Sequence, residues 1–416
     1  MFINNTNNIL SIRSSFIMGV RKFTRFFSNV INNPKNKRKI VDFCGGVAVI
    51  DTSHILHKKC RGMLANHIDM RRTDGKSTNE LFVVFTFTLG LIRKGIMPFY
   101  VFDGKTPKEK NGTVKERKHA RQIAMMNCEN ISDKTSNQYT KNKKKCFQIS
   151  RESIEECKIM LDLMGIQYTD SPGEADPQCV AIATHYADKC AGIISDDSDL
   201  VVFGGGKILT NFDMRNGSTT EINSEDIILF LFEKANEIKT KFGKPLITIF
   251  TRKNFIDFAI LMGTDYGDIL SMCCKGEKIN LNELFEVFTI CDFDIPTTIK
   301  YLQKKNNLQP CDAPQKLCES IQKVYLESYA YDPRNIDIMM KKPKIPQLIN
   351  FLCTKNEFDM SHVTKNIHDL VKNYETLCKM YNESSNFKSF RSYRHHHCSQ
   401  YKKFVGQSTR KYIYKS

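Results

Sequence analysis

The chain has 416 residues, of which 41% are hydrophobic, and carries 62 lysines and arginines against 45 aspartates and glutamates, a formal net charge of +17. It can bury a large core as one extended domain or two, and the cationic excess calls for a polyanionic partner, most simply nucleic acid. Fifteen cysteines without paired C-x-x-C spacing, and no apolar run long enough to span a bilayer, argue against a secreted disulfide scaffold and a membrane protein, leaving a soluble protein of a reducing intracellular compartment.

Residues 1–17 are rich in Asn and Ser and form an extension before the first patterned segment. Val47 to Asp51 reads as a buried strand ending in an acid, followed by a helix over Ser53 to Leu64. A second apolar helix, Leu81 to Lys94, leads into the strand Met97 to Phe102 and then Asp103. This alternation predicts an α/β fold, a mostly parallel twisted sheet flanked by helices.

Lys105 to Lys145 breaks the pattern. Residues 105–151 hold thirteen Lys and Arg against four acids, with few core residues, and by composition alone the run reads equally as a disordered basic loop. The helix Ser150 to Met164 and the strand Ile166 to Tyr168 restore the alternation.

Pro172-Gly173-Glu174-Ala175-Asp176-Pro177 then opens a helix, with both acids where the helix dipole favours negative charge. Ala191 to Ser195 is a short buried strand running into Asp196-Asp197-Ser198-Asp199. After a strand at Lys207 to Thr210, helices over Ser224 to Glu237 and Thr251 to Met262, joined by a surface loop near Ile238 to Leu246, bring the chain to Asp265.

Each of these acids, taken singly, is an ordinary cap or loop residue. Together they follow one grammar, because acids at the carboxyl ends of parallel strands sit where open α/β sheets place their ligands. If the ends converge, each pair of charges repels by about 4 kcal/mol at roughly 4 Å and an effective dielectric near 20, which bound cations relieve.

Six words occur in order: Met18-Gly19-Val20, Ile50-Asp51-Thr52-Ser53, Val101-Phe102-Asp103-Gly104, Pro172-Gly173-Glu174-Ala175-Asp176, Ser195-Asp196-Asp197-Ser198-Asp199 and Gly263-Thr264-Asp265-Tyr266. In these words, over roughly residues 18 to 380, the chain resembles the structure-specific 5′ nucleases of the flap endonuclease and xeroderma pigmentosum G (XPG) family. The resemblance implies a PIN-like nuclease core, with Met18 as a start and Gly19 as an amino terminus lying near the active site. Its divisions fall at 1–17 (extension), 18–130 (N-terminal nuclease region with the start of an arch), 131–270 (internal nuclease region), 271–380 (helical DNA-binding and wrap-back region) and 381–416 (basic tail).

What the resemblance implies for the site is specific. Asp51, Asp103, Glu174, Asp176, Asp197, Asp199 and Asp265 would hold two magnesium ions, for which manganese substitutes, although Asp176 stands where the family usually has Glu. The basic run would be a helical arch over the site, with Lys110 and Arg117 reaching the scissile phosphate as catalytic cations beside Asp103 and Asp197. Gly19, His57, Arg121 and Lys275 would contact DNA, His57 replacing a tyrosine that stacks on a base. The expected activity is cleavage of 5′ flaps, with 5′-to-3′ exonuclease action at nicks or gaps, in replication and repair. The alternatives are an exonuclease, a four-way-junction resolvase or a silent DNA-binding scaffold.

Two stretches depart from the family. Its glycine-rich turn of helix-two-turns-helix type, which grips duplex phosphates with a bound potassium ion, is degenerate here: Met272 and Cys274 stand where glycines are expected. The tail after Asn386 has eight basic residues and no acid, so it reads as an electrostatic DNA contact, and Gln407 to Tyr414 lacks an anchor that a sliding clamp as partner would require. His395 to Cys398 reads as a solvated tail segment. The frequent Asn, Lys and Ile point to an AT-rich genome, as of a large DNA virus or a protist. The expected partner is branched or nicked DNA, the expected state a monomer, and the location the nucleus, or a viral replication compartment for a viral chain.

Overall fold

The computed structural model describes residues 19–274, 279–312 and 314–384. Seven strands form one sheet: β1 (Lys37–Lys39), β2 (Val47–Asp51), β3 (Met97–Phe102), β4 (Tyr168–Asp170), β5 (Cys190–Ile194), β6 (Ile208–Asp213) and β7 (Ser218–Ile222), in the order β1-β7-β6-β5-β2-β3-β4. The five strands from β6 to β4 are parallel, whereas β7 runs antiparallel to β6 and β1 antiparallel to β7. Every residue of β2, β3 and β5 is buried, as the continuous apolar runs of a parallel sheet covered on both faces require. The Tyr100 hydroxyl, deep in that core, pairs with Thr88 Oγ1 at 2.7 Å.

The winding goes from β2 outward to β3 and β4, then returns past β2 to β5 and continues the other way to β6. Right-handed crossovers therefore send helices to opposite faces of the sheet, and a crevice opens between the carboxyl ends of β2 and β5. This reversal, decided by strand order, fixes where the site is.

Among the described residues, helices of ten residues or more are α1 (Thr52–Ala65), α2 (Asn79–Arg93), α3 (Asn111–Glu129), α4 (Asn137–Cys146), α5 (Arg151–Met164), α6 (Ala175–His185), α7 (Ser224–Lys241), α8 (Arg252–Met262), α9 (Leu281–Ile290), α10 (Ile295–Lys305), α11 (Gln315–Leu326) and α12 (Met360–Ser384). Their ends obey local chemistry. Ser150 caps α5 by accepting from Ser153 N at 2.9 Å, and Gly165 ends it at φ 72°, a left-handed turn that favours glycine. Thr251 and Asn254 form a reciprocal capping box at the start of α8. A second, helical part of the core gathers Phe27, Phe255, Phe258 and Phe285, all almost fully buried, with Phe258 and Phe285 at 4.8 Å between ring centroids.

Four expectations change. The loop that composition alone allowed at Lys105 to Lys145 gives way to the helices that the resemblance implied: the segment forms α3 and α4, because residues 115–126 are mostly strong helix formers and Ser136 caps α4 by accepting from Tyr139 N. The strand expected at Ile166 to Tyr168 is formed by Tyr168–Asp170, since Gly165 turns the chain and Ile166 is spent on filling the core. Helix α7 continues to Lys241, so the loop begins at Phe242. Strands β1 and β7, rich in Lys and Thr, carried too little apolar pattern to be recognised, and they pair with each other at the sheet edge.

Beyond Asp265, Asp268 caps a short helix, Ile269–Cys273, by accepting from Ser271 N at 3.0 Å. Met18, Lys275, the rest of the expected phosphate-gripping turn and the basic tail lie outside the described residues. The chain just before residue 345 lies against the end of α5: Lys341 N and Lys344 N donate to the carbonyls of Gly165 and Leu163 at 2.7 and 2.8 Å. Helix α12 then packs on α2, where Arg93 meets Asp369 at 2.7 Å.

Candidate active site

Asp51 is the last residue of β2 and caps α1, its Oδ1 accepting from His54 N at 3.1 Å and its Oδ2 from Ser195 Oγ at 3.0 Å. Asp103 follows β3 and accepts from Ala175 N at 2.8 Å, so it holds the start of α6. Glu174 is the N-cap residue of that helix and Asp176 lies in its first turn. Asp197 follows β5 and accepts from Asp199 N at 2.9 Å, while Asp199 accepts from Tyr325 Oη at 2.9 Å. Asp265 comes after α8 and meets Arg117 at 2.6 Å.

These seven acids share one field. Burial raises Asp51 to about 6, with Asp103 and Asp197 adding to it against His54. Burial, then Asp197, Asp51 and Glu174, holds Asp176 well above the usual carboxylate range, and burial, then Asp197, does the same for Asp199. Asp197 and Glu174 are raised for the same first reason, the loss of water. Asp176 Oδ1 and Asp199 Oδ2 are buried without any hydrogen-bond partner.

Whether these groups suit a metal ion can be judged from the donors. They are hard carboxylate oxygens, two of them orphaned, gathered at the carboxyl end of a parallel sheet, as magnesium or manganese requires. Among the described residues no three acidic, histidine or cysteine side chains already form a single-ion cage. Magnesium keeps several waters, so a ring of carboxylates around a wider space still fits it.

The arch supplies opposite charge. Lys110 is 7% exposed, with Nζ 2.6 Å from Glu174 Oε1, 3.8 Å from Asp265 and 4.7 Å from the centre of the Tyr266 ring. Burial works against its charge, but Glu174, Asp199, Asp176 and Asp265 outweigh that and hold the ammonium protonated. Thr113 Oγ1 donates to the Asp265 carbonyl at 2.6 Å, tying the start of α3 to the same place. Gly19 lies beneath: with φ 86°, a Cβ there would meet Asp197 Oδ1 at 2.3 Å.

His57 takes a different setting from a stacking residue on an open surface. Its ring packs edge-on to Phe147 at 5.8 Å, and burial, then Arg61, His54, Arg117 and Arg121, lowers it to about 4, so it is neutral at physiological pH. Arg121 therefore belongs to the basic group facing α1.

Several residues around the site carry no sequence signal of their own. Arg61, one turn beyond His57, joins the arginines of α3. Tyr266 donates to Glu174 at 2.5 Å and Tyr325 reaches Asp199 from α11. Arg252 holds α11 in place through the carbonyls of Phe203 and Tyr325 at 2.7 and 3.0 Å. Asp196, the acid of its loop outside the ring, is instead paired with Lys58 and lies 3.5 Å from His54, and these two outweigh burial and lower it. Of these, Tyr266 and Asp196 stood inside recognised words.

Two family models match, the XPG N-terminal domain over residues 18–124 and the XPG I-region over residues 165–265, together half the chain. The chain is similar to flap endonuclease 1 of Glossina morsitans morsitans, 25% identical over 357 residues, covering 85% of this chain and 86% of that protein. Among solved structures it resembles flap endonuclease-1 from Methanococcus jannaschii, with a TM-score of 0.58 and 22% identity over 84% of this chain and 98% of the other. It also resembles the catalytic core of Rad2 in complex with DNA substrate, with a TM-score of 0.59 and 22% identity over 85% of this chain and 100% of the other. With the acids of the matched segments gathered at the carboxyl ends of β2, β3 and β5 under a basic helix, the chain belongs to the flap endonuclease and XPG family and is a structure-specific DNA nuclease.

Proposed function

We propose that this nuclease cleaves 5′ flaps, and acts as a 5′-to-3′ exonuclease at nicks and gaps, in DNA replication and repair, using two divalent metal ions. The observation that carries the reading is the ring of seven carboxylates, two with orphaned oxygens, beneath an arch helix that lowers Lys110 and Arg117 into it. Asp51, Asp103, Glu174 and Asp176 would hold one magnesium ion and Asp197, Asp199 and Asp265 the other. Such ions would supply a nucleophilic water at neutral pH and offset charge on the leaving 3′ oxygen.

The protein's own groups do the rest. The buried carboxyl ends of the strands hold the acids against their mutual repulsion, and Tyr266 and Tyr325 orient Glu174 and Asp199. Lys110 and Arg117 exchange their carboxylate partners for the scissile phosphate and stabilise the charge that grows on it. Gly19 leaves backbone space beside Asp197, and Arg121 and the neutral His57 line the approach. The products are a 5′ phosphate and a 3′ hydroxyl.

Side-by-side digestion of an end-labelled 5′ flap, a nicked duplex and a four-way junction, in magnesium and in chelator, tests this. Magnesium-dependent release of the flap faster than cuts in the other two supports the reading. Preferential symmetrical cutting of the junction would replace it with a resolvase.

A further inference from the structure

The arch contains a pair of cysteines that the nuclease chemistry does not use. Cys128, near the end of α3, and Cys146, the last residue of α4, have their sulfurs 4.0 Å apart, and both are half-buried. That is van der Waals contact between two thiols on different helices, separated by 18 positions in sequence. A side-chain rotation that closes the gap to about 2 Å completes a covalent bridge.

The location gives the bridge a consequence. The near half of α3 is fastened to the catalytic body by Thr113 and Arg117 on Asp265 and by Glu109, which accepts from Ser320 Oγ at 3.3 Å. Helix α4 is fastened separately, by Lys143 on Asp69 at 3.1 Å and by Phe147 against His57. The far end of α3 carries Cys128, and its sulfur contact with Cys146 joins it to the fastened helix. Covalent closure there would tie α3 to the body at both ends.

We propose that Cys128 and Cys146 are a thiol-disulfide modification site that locks the arch when a small-molecule disulfide oxidises it. Burial, then the Cys128 sulfur beside it, pushes the Cys146 thiol up to about 11, which disfavours the Cys146 thiolate. The Cys128 thiolate, its proton released, attacks one sulfur of the oxidant, breaks that S–S bond and expels a thiolate that takes up a proton. The Cys146 thiol then loses its proton, attacks Cys128 sulfur in the mixed disulfide and expels the second thiol. The protein gives up two electrons and two protons, and the oxidant becomes two thiols. In a reducing compartment the pair stays open.

The effect on cleavage rests on the proposed cutting of 5′ flaps at the site the arch covers, whereas bridge formation does not, so two readouts separate them. Full-length protein is treated with oxidised glutathione, alkylated and mapped by mass spectrometry, and its arch is probed by limited trypsin digestion at the lysines and arginines of residues 115–145. The expected result is a Cys128–Cys146 disulfide and arch cleavage by trypsin slowed roughly tenfold, reversed by dithiothreitol and absent from Cys128→Ser and Cys146→Ser. Single-turnover cleavage of a free-ended 5′ flap should fall about tenfold on oxidation, with both serine variants as active as reduced wild type and indifferent to the oxidant. Absence of this disulfide, bridging of another pair such as Cys273 with Cys311, or a bridge that leaves both trypsin and flap cleavage unchanged overturns the proposal. Reduced protein that bridges and resists trypsin on oxidation, yet never cuts a flap, supports the site and overturns the flap reading instead.

Discussion

Lys110 Nζ lies 2.6 Å from Glu174 Oε1, so a cation from the arch and the acid at the N-cap of the crossover helix α6 make one largely buried ion pair across the site. Glu174 also accepts from Tyr266. An ion pair this far out of water must gain from its setting what it loses in hydration. Here the other partners are acids that need positive charge, and a phosphate competes with Glu174 for Lys110.

Replacing Lys110 or Arg117 by alanine should therefore lower the single-turnover cleavage rate by roughly 10²- to 10³-fold while changing substrate affinity much less. Stopped or quenched single-turnover kinetics beside equilibrium binding separates the two. Equal loss in binding with an unchanged rate would reduce the arch to a basic landing surface.

Asp197→Ala and Asp103→Ala should abolish cleavage, by at least about 100-fold given that even supporting residues of metal sites cost up to that much. DNA binding should be retained or tightened, since each change removes a carboxylate facing phosphate. Cleavage within tenfold of wild type in magnesium would remove that residue from the proposed ligand set.

Tyr325→Phe deletes the hydroxyl that donates to Asp199 at 2.9 Å and nothing else of the ring packing. The magnesium concentration for half-maximal cleavage should rise about 10- to 100-fold, with the rate at saturating metal less affected. A metal titration of initial rates reads this directly, and an unshifted midpoint would make Tyr325 a packing residue.

Gly19→Ala has a built-in control. Gly19 and Gly75 both have positive φ, 86° and 84°, but a Cβ at Gly19 strikes Asp197 at 2.3 Å whereas at Gly75 it meets nothing within 4 Å. Both variants should lose about 1 kcal/mol of stability from backbone strain, and only Gly19→Ala should also lose cleavage. Parallel denaturant melts and flap assays decide between strain alone and a displaced Asp197.

Stability of the metal-free protein should fall as pH rises. Asp51, raised to about 6, contributes stability that is fully present below its unfolded value near 3.8 and lost as pH climbs through 6, and Asp176 and Asp199 act in the same direction at higher pH. His57, lowered to about 4, works against this by losing stability as pH falls below its unfolded value near 6.5. The raised acids, Asp197 and Glu174 among them, outweigh the lowered His57 and His362 and give the net sign: in chelator the protein should melt lower at pH 7.5 than at pH 5.5. Magnesium should raise the melting temperature more at the higher pH, where the acids are freer to bind it. Calorimetry in chelator and in magnesium at the two pH values checks both.

The buried strands and their terminal acids could be read from the chain because burial on both faces leaves a continuous apolar run in local sequence, and an acid ending such a run stands out. Caps such as Ser150 and Thr251 are local too, each acting within three residues. The arch helices could not be read in this way: α3 has one buried residue, Ala124, so no apolar face marked it, and its position depends on contacts with Asp265. Strand order was equally invisible, since nothing in β5 says that it returns past β3 to lie beside β2. That reversal places Asp51 and Asp197 at one crevice, and packing over 126 and 247 positions brings Tyr325 to Asp199 and Arg21 to Asp268. Local pattern specifies which side of an element is buried; which distant element covers it is decided only when the whole chain packs.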